Sequence, residues 1–289
     1  MSNVFTTIAF IGTGVMGNSM ASHLLHAGYN VNVFTRTKEK AFSLLEKGAK
    51  WLDSPKEAIQ NAEIVISMVG YPSDVEEIYL GVDGIIHHAK AGTYLIDMTT
   101  STPTLAKEIY EKAKINGLKS LDAPVSGGDI GARDAKLTIM VGGEATDFQV
   151  VEPVLRRLGT NIVYQGLAGS GQHTKMCNQI AIATNMIGVC EALAYAKAAG
   201  LNPENVLKSI SAGAAGSWSL SNLAPRMIAG NFEPGFYIKH FVKDMKIAID
   251  EAEKMDLPVP GLHLAKEMYE RLIEMGEEDS GTQALYKLW

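Results

Sequence analysis

The spacing of apolar positions changes rhythm once along this chain. Up to about residue 165, short apolar runs recur between polar, periodic stretches. They are TIAFI (Thr7–Ile11), VNVF (Val31–Phe34), IVISMV within Ala62–Val69, YLIDM (Tyr94–Met98), LTIMVG (Leu137–Gly142) and a weaker run at Ile162–Tyr164. Apolar runs this short, bounded by glycine and turn residues, predict buried strands. Between them lie helical patterns. One carries Met20, Leu24 and Leu25 and closes at Gly28; others cover Ala41–Gly48 and Thr104–Asn116. Lys119–Ala123 leads into the string DAPVSGG. Strands alternating with helices predict a doubly wound α/β sheet. From Thr174 to Ala199 the chain has no strong breaker and many alanines, methionines and isoleucines, which predicts one long buried helix. Every later segment reads as helical: Pro203–Ala212, Leu220–Ala229, Lys239–Met255 and Gly261–Met275. The expected organisation is an α/β domain over residues 1–167 and an all-α domain over 168–289, joined by a long interdomain helix.

The turn after the first strand carries candidate chemistry. Gly12, Thr13, Gly14, Val15, Met16 and Gly17 spell G-x-G-x-x-G between an apolar strand and a helix. In that context the first glycine permits the tight turn, the second lets backbone approach a pyrophosphate, and the third lets helix and strand pack closely. The helix N-terminus offers N–H groups and partial positive charge to the phosphates. This predicts a Rossmann-like dinucleotide site. The end of the second strand bears on cofactor choice. An NAD-preferring site places an acid there for the ribose 2′-OH. This chain has Thr35, Arg36, Thr37 and Lys38, with no acid before Glu39. Arg36 suits an adenine face and a 2′-phosphate, and the threonine hydroxyls suit further hydrogen bonds. NADP is therefore favoured over NAD.

Composition narrows the classes. The 289 residues are 46% hydrophobic and 20% charged, an ordinary globular balance, with a net charge of −6 that argues against a nucleic-acid partner. Cys177 and Cys190 fit neither a CxxC pair nor a zinc pattern, which suits a reducing compartment. No metal-ligand cluster stands out, so no metal is expected. No apolar run reaches the roughly 18 residues of a membrane span, so no transmembrane helix is expected. Met1–Thr7 lacks the basic start of a signal peptide. The expectation is a cytoplasmic protein without a membrane partner.

Four strings then carry a resemblance. FIGTGVMGNSMASHL (Phe10–Leu24), DAPVSGG (Asp122–Gly128) followed by Gly131 and Ala132, GSGQHTKMCNQ (Gly169–Gln179) and FYIKHFVKDMKIA (Phe236–Ala248) resemble the β-hydroxyacid dehydrogenase family across essentially the whole chain. That family includes 3-hydroxyisobutyrate dehydrogenase, tartronate semialdehyde reductase and glyoxylate/succinic semialdehyde reductases. Its members often have leucine where Thr13 stands. The resemblance implies that Ser126, Gly127 and Gly128 hold a substrate carboxylate. Successive N–H groups of a glycine-rich bend can also cradle an anion on physical grounds. It implies that Lys175 is the catalytic acid/base. Asn178 and Gln179, three and four residues on, share its helix face and are expected to line a cleft. Relatives such as phosphogluconate dehydrogenases have Asn at the i+4 position. Here that position is Gln179 and Asn comes one residue earlier, so which amide contacts substrate stays open. The resemblance further implies cofactor contacts from Lys243, Val69, Gly70 and Thr100, with Thr99 less certain, and substrate contacts from Phe236 and Asp244. Lys246 is expected to face solvent. Trp218, flanked by Ser217 and Ser219, is expected either to narrow the pocket or to pack in the core.

The implied reaction interconverts a small β-hydroxy acid and its aldehyde or keto acid. Hydride moves to or from the nicotinamide, and Lys175 exchanges the alcohol proton. Such a base works near neutral pH when burial or nearby positive charge lowers its pKa. Family members commonly form homodimers or homotetramers. Competing readings are an NADPH-dependent glyoxylate/succinic or tartronate semialdehyde reductase, a catalytically silent dinucleotide-binding protein, a 6-phosphogluconate-type decarboxylating enzyme and an imine reductase. The missing His-Asn pair weighs against the decarboxylating enzyme. Retention of the lysine weighs against the imine reductase.

Overall fold

Strands β1 (Thr7–Ile11), β2 (Asn30–Phe34), β3 (Lys50–Trp51), β4 (Ile64–Ser67), β5 (Tyr94–Asp97), β6 (Lys119–Asp122), β7 (Val125–Ser126), β8 (Leu137–Gly142) and β9 (Gly159–Gly166) form one sheet in the computed structural model. The structure describes residues 5–289; the Met1–Val4 part of the N-terminal segment inspected for targeting signals lies outside them. The chain divides into two compact units, one ending at Lys175 and one from Met176 to Trp289. The long helix Ser170–Ala198 runs through that division.

In the first unit the strand order is β3-β2-β1-β4-β5-β6-β8-β7, with β9 beside β8. The first six of these strands are parallel. That order reverses direction between β1 and β4, which is where doubly wound sheets bind ligands. The predicted α/β architecture is therefore observed. Both faces are covered, which explains why the strands read as unbroken apolar runs rather than as alternating ones. Ile8, Phe10, Ile64 and Ile66 pack on one face. Ala9, Ile11 and Val65 pack on the other, under Tyr79, Ile85 and Ile109.

The second unit is helical, as predicted. Its helices are Pro203–Ile210, Trp218–Asn222, Ala224–Ile228, Ile238–Lys254 and Pro260–Glu274, besides its share of the long helix, and a 3-10 segment Thr282–Leu288 follows. Met186, Cys190, Phe241, Met245, Tyr269 and Leu285 lie in its core.

Three elements differ from expectation. The Ala41–Gly48 helix is a 3-10 turn, Lys38–Ala41, that continues as the helix Phe42–Glu46. The Leu220–Ala229 helix is two short ones, with Pro225 in the first turn of the second. Proline has no N–H to continue a helix but fits the first turn of a new one. The long helix starts at Ser170 rather than Thr174, for a reason given by Asp122 below. That helix is also long and apolar enough to span a bilayer by length and composition, although no uninterrupted apolar run of that length occurs. Its Ala183, Met186, Val189, Cys190 and Leu193 are buried in the core of the second unit.

Candidate functional site

The first glycine-rich turn sits at the reversal point of the sheet, where β1 pairs with β4 from Ile8↔Ile64 to Ile11↔Ser67. Gly12 has φ +94°, and a Cβ there would stand 2.3 Å from the Met68 carbonyl oxygen. A Cβ on Gly17 would stand 2.0 Å from the Gly12 carbonyl oxygen. Both positions exclude any side chain, because real Cβ atoms do not come that close. Gly14 is different: nothing lies within 4 Å of its Cβ position. It is the N-cap of the helix Val15–His26, with no side-chain cap and no acid in the first turn. First-turn N–H groups have no intrahelical carbonyl partner and carry the positive end of the helix dipole. Val15 is exposed and Met16 half-buried. Thr13 is buried, and its Oγ1 has no hydrogen-bond partner. An open, uncapped, acid-free helix start beside an orphaned hydroxyl fits a dinucleotide pyrophosphate.

Beyond β2, Thr35 is half-buried while Arg36 and Thr37 are exposed. Arg36 Nη1 lies 3.1 Å from Asp74 Oδ1. Val69 and Gly70 follow β4, and the Val69 N–H donates to Thr99 Oγ1 at 3.0 Å. Thr99 is buried and Thr100 half-buried. The structure thus gives Thr99 a defined part: it ties the loop after β4 to the loop after β5.

The second cluster gathers around Lys175. Its ammonium is buried and donates to the Val125 carbonyl at 2.9 Å, directly before Ser126. The lysine and the DAPVSGG loop, 50 residues apart in sequence, are therefore neighbours. Gly127 (φ +129°) and Gly128 (φ +63°) bend that loop into the short helix Gly128–Arg133.

Asp122, the first letter of the same string, holds the long helix. Its Oδ1 accepts from the Gly169 N–H at 2.7 Å and its Oδ2 from the Gln172 N–H at 2.8 Å. A carboxylate on these otherwise partnerless N–H groups starts the helix one turn earlier than its apolar pattern suggests. Burial pushes the Asp122 carboxyl above its usual range, while the backbone N–H bonds to it pull the other way.

Gln172, three residues before Lys175, extends this network. Its Nε2 donates to the Thr99 carbonyl at 2.8 Å, and its Oε1 accepts from the Ser101 N–H at 3.0 Å. Asp97 completes it, with Oδ1 accepting from Ser67 Oγ at 2.8 Å and from the Thr99 N–H at 3.1 Å. Desolvation raises the Asp97 carboxyl to about 6 despite these bonds, and neighbouring Asp122 adds to the rise. Both expected cofactor loops and the start of the Lys175 helix thus share one buried hydrogen-bonded frame.

The second unit holds its own polar cluster. Gln179 is fully buried with both amide ends engaged: Oε1 accepts from Asn178 Nδ2 at 2.7 Å, and Nε2 donates to Asp244 Oδ2 at 2.5 Å. Asn178 is half-buried. Lys243 Nζ lies 3.1 Å from Asp244 Oδ1, close enough for ion pairing but outside hydrogen-bond geometry. Phe236 packs on Phe241, with ring centroids 5.7 Å apart. Lys246 is exposed and paired with Asp250. Trp218 is 67% exposed, so it is not a core residue. Ser217 caps its short helix, with Oγ accepting from the Leu220 N–H, and Ser219 is buried.

Sequence reasoning did not single out Asp122, Gln172, Asp97 or Asp74. The first three lie inside quoted strings, so their residue types were visible, but they have partners remote in sequence.

Comparison with known proteins agrees with this fold. A family model described as the NAD-binding domain of 6-phosphogluconate dehydrogenase matches residues 7–166. A second, described as the NAD-binding domain of NADP-dependent 3-hydroxyisobutyrate dehydrogenase, matches residues 169–289. An uncharacterized oxidoreductase of Bacillus subtilis is 66% identical over 98% of each chain. A probable mitochondrial 3-hydroxyisobutyrate dehydrogenase-like protein of Arabidopsis thaliana is 46% identical over 97% of this chain and 84% of its own. The solved structure of Mycobacterium tuberculosis 3-hydroxyisobutyrate dehydrogenase with L-serine superposes with a TM-score of 0.91, at 30% identity and 99% coverage of both chains.

Proposed function

Because the chain belongs to the 3-hydroxyisobutyrate dehydrogenase-like family of NAD(P)-dependent β-hydroxyacid dehydrogenases, we propose that it interconverts a small β-hydroxy acid and its semialdehyde or keto acid, with Lys175 as acid/base. The observation that carries this reading is the buried Lys175 ammonium against the Val125 carbonyl, at the entrance to the Ser126–Gly128 bend. When bound, the nicotinamide ring supplies or accepts the hydride. The chain's own residues position and exchange protons. Backbone N–H groups of the Ser126–Gly128 bend and the Ser126 hydroxyl suit a carboxylate. Lys175 then stands beside the oxygen that gains or loses a proton, donating in reduction and accepting in oxidation. The Asp122 and Gln172 contacts hold the first turns of its helix. L-Serine, present with the mycobacterial relative, is itself a β-hydroxy acid and supports this substrate class.

The cofactor is a nicotinamide dinucleotide. We favour NADP, because the end of β2 presents the Arg36 guanidinium and no nearby acid of its own.

Lys175→Ala should lower kcat by at least about a thousandfold in both directions, with NADPH binding preserved. A variant with near-normal turnover would overturn the assignment. The substrate follows from relative kcat/KM on 3-hydroxyisobutyrate, L-serine, tartronate semialdehyde, glyoxylate and succinic semialdehyde. Turnover of none of them would favour the catalytically silent reading.

A further inference from the structure

The adenosine side of the site holds a carboxylate that the β2 sequence lacks. It comes from Asp74, in the first turn of the helix Pro72–Leu80 that follows β4. Its Oδ2 accepts from the Tyr71 N–H at 3.1 Å, and its Oδ1 lies 3.1 Å from Arg36 Nη1. The two partners are held unequally. The Asp74 side chain is 13% exposed, against 77% for Arg36. A carboxylate in a first helical turn is also favoured by the helix dipole. Asp74 is thus the fixed partner and Arg36 the movable one. Gly70, on the expected cofactor loop, lies against the same carboxylate: a Cβ there would stand 3.3 Å from Asp74 Oδ2. The nearest other cation in sequence, Lys38, is turned onto the Trp51 ring, 5.2 Å from its centroid.

We propose that Asp74 is a specificity-determining residue that narrows the preference for NADP by occupying the Arg36 guanidinium. The inference rests on the reading of Arg36 as the adenosine-side contact. A 2′-phosphate, with close to two negative charges, must share Arg36 with a carboxylate already pairing with it, and the two anions repel across a few ångströms. The 2′-hydroxyl of NAD is neutral and a hydrogen-bond donor, so the same carboxylate does not disfavour it. NAD-preferring sites place an acid at the end of β2 for that hydroxyl. Here the acid arrives from the helix after β4, two strands away from β2 in the sheet, next to an arginine, in an arrangement suited to both dinucleotides.

The test is direct binding of NADPH and of NADH, by calorimetry, to wild type and to Asp74→Asn, Asp74→Ser, Arg36→Ala and the Arg36→Ala/Asp74→Asn pair. Asn and Ser keep an oxygen for the Tyr71 N–H, and circular dichroism checks folding. Removing the carboxylate should tighten NADPH binding by about tenfold at low salt and by less at high salt, with NADH changed less than about twofold. The gain should be largely lost without Arg36. Unchanged or weaker NADPH binding in folded Asp74→Asn and Asp74→Ser overturns the proposal, as does a full gain in the Arg36→Ala background. Those results leave the cofactor reading intact. Wild type that binds neither dinucleotide, or Arg36→Ala with undiminished NADPH affinity, overturns that reading and this one together.

Discussion

The turn after β1 and the bend after β7 are both glycine-rich, yet glycine serves different ends in them. At Gly12 and Gly17 the reason is space: a Cβ would lie 2.3 Å and 2.0 Å from backbone oxygens. At Gly127 the nearest atoms to an added Cβ are 3.4 Å away, and the reason is a φ of +129°. A packing constraint fixes a rigid spacing of glycines along the chain, while a conformational constraint fixes only a bend. The difference explains why the first motif is recognisable from residue spacing and physics alone. The second acquires its meaning from what lies opposite it, the Lys175 ammonium.

This contrast can be broken experimentally. The largest effect is expected at the first turn. Gly17→Ala should unfold or severely destabilise the first unit, by roughly 4 kcal/mol or more, because neither the Gly12 backbone nor the helix can yield 1 Å cheaply. Gly14→Ala, three residues away, should leave the thermal midpoint nearly unchanged while weakening dinucleotide binding at least about tenfold. Equal stability losses in the two variants would refute the division of roles.

A smaller effect concerns Asp97, whose strand lies between those leading to the two turns and whose register partner is Asp122. Its carboxyl, raised to about 6 by burial, favours the neutral form in the folded protein. The stability it contributes is complete below the unfolded value near 3.8 and is lost as pH rises through about 6. Asp97→Asn imitates the neutral form and can still accept from Ser67 and Thr99. Its unfolding free energy should therefore fall less than that of wild type as pH rises from about 3.5 to about 7, by on the order of 3 kcal/mol at most. Parallel pH curves in chemical denaturation would show that Asp97 is not the titrating group.

The smallest stability effect belongs to the second bend. Gly127→Ala should cost only about 1–3 kcal/mol, through backbone strain rather than collision. Because the bend is itself the proposed carboxylate cradle, KM for the hydroxy acid should rise while dinucleotide affinity holds. Loss of dinucleotide binding instead would overturn the division of roles between the two turns.

The sequence by itself determined the α/β-then-α order and the glycine turn between first strand and first helix, and its family resemblance marked Lys175 as the residue to watch. Each of these depends on neighbours in the chain: apolar runs, glycine spacing, a lysine in a quoted string. Even the exposure of Lys246 and the helical character of the second unit could be read locally. Tertiary structure alone decided the rest. It put Asp122 on the N–H groups of Gly169 and Gln172, which moved the start of the long helix to Ser170. It engaged both ends of Gln179, left Trp218 in solvent and set Asp74 against Arg36. One physical reason is shared by Asp122, Asp74 and the Gln179–Asp244 contact. A buried polar group must find a partner, and here the partner is supplied by another strand or helix far away in sequence, at a distance no local pattern encodes.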